Sequence, residues 1–291
     1  MPELPEVETI RRGLEARLVG RTITALRIPP DRGRPVPVIK AMDESAFREG
    51  VVGARIEGVS RRGKYLVLHL DMQRGGLPGG EGSAASRSGE SLLLVIHLRM
   101  TGALLFPEAP EDPYVRAIFV LDDGTEMRFS DLRKFGGIWL VEDLSQVTTD
   151  LGPEPLSEGF TKEQLAEALT GRKAPVKSII LDQRRIAGIG NIYADEACFA
   201  AGLDPRRLGA TLTDRDVAGL HAAIRAVLTA GVEQGGASFR DYRNTGGNVG
   251  SMQKHVKVFR RTGKPCYACG TTIERVKVGG RSTHLCPTCQ R

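Results

Sequence analysis

The stretch CYACGTTIERVKVGGRSTHLCPTC, Cys266–Cys289, holds four of the chain's five cysteines. Cys266 and Cys269 form one C-x2-C knuckle, Cys286 and Cys289 a second, and sixteen residues separate them. Each knuckle can grip a tetrahedral metal from one side, and thiolates suit Zn²⁺. Free thiols or a redox pair are the alternatives. Between the knuckles Thr272–Val278 alternates apolar and polar side chains, Gly279-Gly280 offers a two-residue turn, and Ser282–Leu285 returns. The spacing predicts a β-hairpin over 264–291, stapled at its base by one structural zinc. So small a module cannot bury a core of its own, and the metal supplies much of its folding free energy.

Charge concentrates around this hairpin. Residues 235–291 carry eleven Lys and Arg against Asp241 and Glu274, a net +9 in a chain whose total is +6. A local field of that sign suits a polyanion such as nucleic acid. Arg281 falls at the hairpin tip, where a phosphate contact competes with plain solvation. The fifth cysteine, Cys198, stands in a helical context and reads as a buried thiol. Five unevenly placed cysteines exclude a secreted disulfide scaffold. No apolar run reaches transmembrane length and the start has no signal-peptide core, so a cytoplasmic protein with no membrane partner is expected.

Upstream, the periodicity divides the chain. Residues 3–19 read as a helix with Leu4, Val7, Ile10, Leu14 and Leu18 facing inward and Gly20 ending it. Short apolar or β-branched runs follow at Thr22–Ile28, Val51–Val59, Lys64–Leu70, Leu92–Leu98, Val115–Leu121 and Gly137–Val141. They predict a β-sandwich or flattened barrel over 1–145. The Gly/Ser/Arg-rich stretch 71–91 interrupts it as a loop with no function assigned. Gly152, Pro153, Pro155 and Gly159 mark a linker. The pattern then turns helical over 152–234, at Lys162–Thr170, Val176–Asp182, Ile192–Ala201 and Asp214–Gln234. Residues 235–263, rich in Gly, Arg and Asn, predict a long loop and a connecting strand. The fold class is therefore α+β and multidomain.

The first residues, Met1-Pro2-Glu3-Leu4-Pro5-Glu6-Val7-Glu8, bear on chemistry. Met before Pro is normally trimmed, leaving Pro2 with a secondary amine. Such amines titrate near ~8, so a useful fraction is neutral at neutral pH. A neutral amine can attack an aldehyde-like carbon and give an iminium ion. Pro and Glu are also ordinary first-turn helix residues, and the residues alone favour that reading.

The run Pro2–Thr9 resembles the start of the formamidopyrimidine-DNA glycosylases, bacterial enzymes of oxidised-purine repair. The likeness spans essentially the whole chain through Gly63–Leu66, His97–Gly102, Asp131–Gly136, Gly188–Ala194 and the four-cysteine hairpin, in the family's order. It implies an N-terminal β-sandwich with a leading helix, a helix–two-turn–helix domain, a lesion-capping loop within 235–263 and a zinc finger. It implies excision of 8-oxoguanine and formamidopyrimidines from damaged double-stranded DNA by a monomer, followed by β,δ-elimination at the abasic site. No redox or nucleotide cofactor is expected. By resemblance Pro2 is the nucleophile, Glu3 the general acid, Lys64 a proton donor in β-elimination and Arg281 a phosphate ligand. Met100, Arg133 and Phe135 match the side chains that fill the void left by an extruded base. Tyr114, Lys173, Lys177 and Asn191 match DNA-contacting positions, Asn191 also as a helix N-cap. Three positions depart from the pattern: Tyr114 replaces a common His, Phe259 a common Tyr, and Arg275 a common Lys. An endonuclease VIII-like enzyme for oxidised pyrimidines and a non-catalytic zinc-ribbon DNA-binding protein are the rival readings.

Overall fold

A computed structural model describes residues 2–30, 37–72, 91–239, 245–246 and 248–291. The Gly/Ser-rich insertion, the removal of Met1, and Arg240, Tyr242 and Arg243 of the expected capping loop lie outside these residues.

The described residues form two compact units. The first comprises Pro2, Val7–Thr149 and Phe239–Val249; the second comprises Glu3–Glu6, Asp150–Ser238 and Gly250–Arg291. Chain order and compact unit therefore part company at both ends of the expected segmentation.

Helix α1, Leu4–Leu18, opens the chain. In the first unit its Val7, Ile10, Leu14 and Leu18 are buried in one core, as their spacing requires. That core lies on two antiparallel four-stranded sheets. One has strands β1 (Ile23–Arg27), β6 (Val115–Leu121), β7 (Glu126–Asp131) and β5 (Gly102–Leu105), in that order. The other has β2 (Arg55–Arg62), β3 (Tyr65–Asp71), β4 (Ser91–His97) and β8 (Gly137–Val141). Leu66, Leu68 and Leu70 of β3, Leu94 and Ile96 of β4, and Ala117, Phe119 and Leu121 of β6 belong to the shared core. Their period-2 placement is what half-buried strands demand. Each fully buried Leu or Phe contributes roughly 1.5–3 kcal/mol.

Four elements of this unit are not expected from the sequence: β5, β7, helix α2 (Glu44–Val51) and the short helix α3 (Ser145–Thr148). The expected strand Val51–Val59 is corrected, since Val51 ends α2 and the strand begins at Arg55. Asp43 caps α2 through Ala46 N at 2.9 Å, which commits the run to helix, and Phe47 and Val51 turn inward. Phe47 meets Phe119 edge-on at 6.5 Å.

The second unit holds helices α4 (Lys162–Leu169), α5 (Val176–Leu181), α6 (Asn191–Ala200) and α7 (Asp214–Glu233); the short α3, Ser145–Thr148, ends the first. Thr213 and Asp216 form a reciprocal capping box at the start of α7. Between α5 and α6 the chain makes two turns stitched by one amide. Gln183 donates to Leu181 O and Ile189 O and accepts from Gly188 N at 2.9 Å. The hairpin β9 (Glu274–Val278) and β10 (Arg281–Leu285) completes the unit. Gly279 and Gly280 both have positive φ, as a two-residue turn of this kind needs.

The connecting strand expected within 235–263 is corrected: no strand occurs among the described residues of that segment. Glu196 holds the chain in a turn instead. Its carboxylate accepts from Lys257 N, Val258 N and Phe259 N at 2.7–2.9 Å, which spends those donors on one side chain rather than on a ladder.

Candidate active site and nucleic-acid interface

Glu3 is buried, and its carboxylate reaches the N-terminus of α6, accepting from Ile192 N at 3.0 Å and Tyr193 N at 3.3 Å. Helix N-termini leave their first N–H groups without intrahelical partners. Gly190 occupies the N-cap position and has no side chain to satisfy them. Glu3 therefore caps α6 from 189 residues away. The expected N-cap role of Asn191 is corrected, since Asn191 is the first helical residue.

This arrangement explains the glycines of Gly188-Ile189-Gly190. A Cβ on Gly190 would overlap the Glu3 carboxyl group. One on Gly188, which has φ +85°, would lie 2.6 Å from Leu4 Cδ1, and Gly188 O accepts from Leu4 N at 3.0 Å. The close approach leaves no room for a side chain at either position.

Glu6, which the sequence reading did not single out, is a second buried carboxylate. It accepts from Glu3 N at 2.8 Å, Tyr193 Oη at 2.7 Å and Ala237 N at 2.6 Å. Burial pushes its carboxyl above the usual range, and these donors oppose the shift. Nothing in the local sequence marks it, because all three donors but Glu3 are remote. Pro2 is buried just ahead of α1.

In the first unit Lys64 sits beside Gly63 in the turn between β2 and β3, and it is buried rather than solvated. His97, at the end of β4, accepts from Arg99 N at 2.9 Å through Nδ1, so its ring proton belongs on Nε2. Burial first, then the Arg99 and Lys64 charges, hold its imidazole down to about 3. It is a neutral donor near a buried lysine.

Two loops of this unit carry Met100, Arg133 and Phe135. Met100 is 42% and Phe135 51% exposed, so both side chains stand at the surface rather than in the core. The Arg133 guanidinium stacks 4.7 Å above the Phe135 ring and reaches Met100 Sδ at 3.2 Å. The structure thus brings these three together as one exposed cluster. Tyr114 is also exposed, and its carbonyl accepts from Asp131 N at 3.0 Å.

In the second unit Lys177 lies in the interior. It is 0% exposed, pairs with Asp195 Oδ1 at 2.6 Å, and donates to Ser282 O at 3.0 Å and Thr283 Oγ1 at 2.8 Å. The expectation of a direct DNA contact is corrected, because the ammonium has no surface to offer. Lys173, exposed, precedes α5 rather than sharing its face. Asn191 Nδ2 donates to the same Ser282 carbonyl at 3.0 Å. Asp195 Oδ2 accepts from both His284 N and His284 Nδ1 at 2.9 Å. Strand β10 is thereby fastened to α5 and α6, and exposed Arg281 is held one residue from this fastening.

The Sγ atoms of Cys266, Cys269, Cys286 and Cys289 lie within 4.8 Å of one another. Tetrahedral thiolates at the usual Zn–S distance sit about 3.8 Å apart, so the donor set and spacing fit one closed structural zinc. Cys198 stands apart, fully buried, with its thiol pushed up by desolvation. No described helix is long and apolar enough to cross a membrane.

Comparison with known proteins agrees with this geometry over the whole chain. Residues 1–138 match the formamidopyrimidine-DNA glycosylase N-terminal domain, 151–243 the H2TH domain of the same enzymes, and 263–291 the zinc finger found in FPG and IleRS. The formamidopyrimidine-DNA glycosylase of Pelotomaculum thermopropionicum is 42% identical over 100% of this chain and 99% of its own length. That of Moorella thermoacetica is 46% identical over 95% of each. Among solved structures, MutM (Fpg) of Thermus thermophilus superposes with a TM-score of 0.82 at 38% identity, covering 99% of this chain and 98% of its own. Lactococcus lactis Fpg in complex with abasic-site DNA gives 0.84 at 32% identity, covering 99% of both chains. From its sandwich to its four-cysteine hairpin, this chain belongs to the formamidopyrimidine-DNA glycosylase family.

Proposed function

We propose that this chain excises oxidised purines, 8-oxoguanine and formamidopyrimidines, from duplex DNA and then cleaves the abasic strand. The reading is carried by one observation: a chain related to these enzymes over its full length keeps Pro2 next to a carboxylate that α6 holds in place. A Lactococcus lactis relative has been solved with Fapy-dG DNA, which supports the same substrate class.

After removal of Met1, the Pro2 nitrogen attacks C1′ of the extruded nucleotide and the N-glycosidic bond breaks, its electrons leaving with the base. Glu3 passes a proton to O4′ as the sugar ring opens to the iminium ion. The iminium acidifies C2′; loss of that proton expels the 3′-phosphate, and a second elimination expels the 5′-phosphate. Lys64 is the proton carrier for the first elimination. Arg281, always charged, steadies the phosphate electrostatically rather than by giving up a proton. Cys266, Cys269, Cys286 and Cys289 would hold the zinc, which supplies stability to the hairpin and no open coordination position.

Met100, Arg133 and Phe135 fill the void behind the extruded base: two apolar wedges and a guanidinium that can hydrogen-bond the orphaned cytosine. Tyr114, Lys173 and Asn191 face the DNA backbone. Lys177 acts one layer back, by holding the Ser282 carbonyl beside Arg281. The relatives named above are bacterial, and the cytoplasm, where chromosomal DNA lies, is the place of action.

Borohydride trapping on an 8-oxoguanine:cytosine duplex tests this reading. A covalent adduct whose peptide maps to Pro2 is expected. An enzyme with Pro2→Gly that cleaves abasic DNA at the wild-type rate would defeat it. Faster excision of thymine glycol than of 8-oxoguanine would favour the pyrimidine-repair reading instead.

A further inference from the structure

Beneath the exposed cluster of Met100, Arg133 and Phe135 lies one carboxylate that touches both of its loops. Asp131, the last residue of β7, is 1% exposed. Its Oδ1 accepts from Thr101 Oγ1, thirty residues away on the loop between β4 and β5, and from Arg133 N at 3.1 Å. Its Oδ2 accepts from Gly136 N at 2.7 Å. Thr101 Oγ1 in turn accepts from Arg133 N at 3.2 Å, which closes a triangle of Thr101, Asp131 and Arg133.

We propose that Asp131 is a positioning residue for lesion probing: with Thr101 it locks the two loops together so that Met100, Arg133 and Phe135 enter the duplex as one rigid wedge. The inference rests on the function proposed above.

Three observations converge on it. First, a carboxylate that capped only its own turn would need Arg133 N and Gly136 N and nothing more. The bond to Thr101 reaches beyond that turn and couples a second loop to it. Second, both wedge loops hold a non-glycine residue in the left-handed region immediately before their apolar tip: Arg99 at φ +52° precedes Met100, and Lys134 at φ +57° precedes Phe135. Such conformations persist only where the surroundings over-determine the backbone. Third, the loops are packed without slack. A Cβ on Gly136 would lie 2.7 Å from Phe129 Cζ and 3.2 Å from Asp131 Oδ2, and one on Gly102 would lie 2.8 Å from Leu98 Cα.

Prying a base step apart opposes stacking, and a side chain can press on a base only if the backbone behind it does not yield. Arg133 must also meet the orphaned base at hydrogen-bond tolerance, which a loop free to shift would not ensure. Asp131 does this without touching DNA, because its oxygens are spent on the loops.

The test compares wild-type enzyme with Asp131→Ala, Thr101→Val and Thr101→Ser on three readouts. These are the rate of 2-aminopurine fluorescence change beside an 8-oxoguanine, the ratio of excision opposite cytosine and opposite adenine, and cleavage of a single-stranded abasic oligonucleotide. Thr101→Val is expected to slow the fluorescence step and lower the ratio by about tenfold, the size of one lost charge-assisted hydrogen bond, and Asp131→Ala, which removes three bonds to the loops, by more. Single-stranded cleavage stays at the wild-type rate, and Thr101→Ser, which keeps the hydroxyl, behaves as wild type. Unchanged fluorescence and ratio in Asp131→Ala overturn the positioning role and leave the proposed function standing. Equal loss on all three readouts makes Asp131 a folding residue and also overturns it. If Asp131→Ala does not fold, Thr101→Val decides alone. A wild-type enzyme that does not excise 8-oxoguanine defeats the functional reading itself.

Discussion

The β-sandwich and the four-cysteine hairpin are held together by opposite means. The sandwich core runs through both sheets and two helices, with Phe47, Phe119, Leu68 and Ile96 among its fully buried members. The hairpin's buried cluster consists of Val258, Cys266, Ile273 and Cys286. Two of those four are proposed metal ligands, so half of the hairpin's buried cluster is also its metal site. The sandwich can lose one side chain and remain a sandwich. The hairpin depends on its sulfur atoms and on what fastens β10 to α5 and α6.

Removing the metal breaks the comparison most sharply. Chelation, or Cys286→Ala, is expected to unfold the hairpin, since structural zinc supplies on the order of 10 kcal/mol to modules of this size. Limited proteolysis would then cut within 264–291 and leave the described strands of the sandwich protected, and DNA affinity would fall with it. Protection of both segments would show a hairpin that stands without zinc. Next comes Asp195→Ala, which strands the buried Lys177 ammonium and releases His284. A loss of about 3–5 kcal/mol is expected, read by urea denaturation of the zinc-loaded protein. A loss under about 1 kcal/mol would mean that the hairpin is not fastened through this pair. Phe119→Ala tests the sandwich on the same scale, at about 3–5 kcal/mol, but with zinc retained.

Acid sharpens the contrast further. The His97 imidazole is held near 3 in the fold, against an ordinary 6.5. Between those values the unfolded chain binds a proton that the folded chain refuses, so His97's contribution is whole above about 6.5 and declines as pH falls toward 3. The slope is at most about 1.4 kcal/mol per pH unit. A His97→Gln variant is expected to flatten the acid limb of the stability curve of the sandwich. An unchanged limb would place the acid sensitivity elsewhere.

How much of this was legible beforehand follows the same division. Val115–Leu121 and Gly137–Val141 match their strands to the residue, because each is a short apolar run bounded by polar or turn residues. The hairpin is written in its cysteines and its Gly-Gly turn. Strand β7 escaped because Glu126, Arg128 and Ser130 outnumber its inward Met127 and Phe129, so its apolar signal is thin. Lys177 could not be foreseen as buried: its partners Asp195 and Thr283 come from later segments, and no local pattern pairs them. Glu6 and Glu196 are hidden for that reason too. The sequence also pointed to the N-terminal run as the proposed reactive one, but what fixes Glu3 there lies near residue 190.

That last distance shapes how the enzyme comes into being. The residue just ahead of α1 and the start of α6 complete each other: one lends a carboxylate, the other lends its bare N–H groups. Translation delivers residue 3 long before residue 192, and closing so long a loop is a late event in folding. Until it closes, the proposed acid has no fixed address, however well formed the sandwich is. A ribosome-bound or truncated chain thus carries its proposed nucleophile without a placed acid. Gly190→Ala should leave even the finished protein in that condition, with a misplaced carboxylate costing about a hundredfold in excision rate. The glycine works as a safety catch, released only by the complete fold.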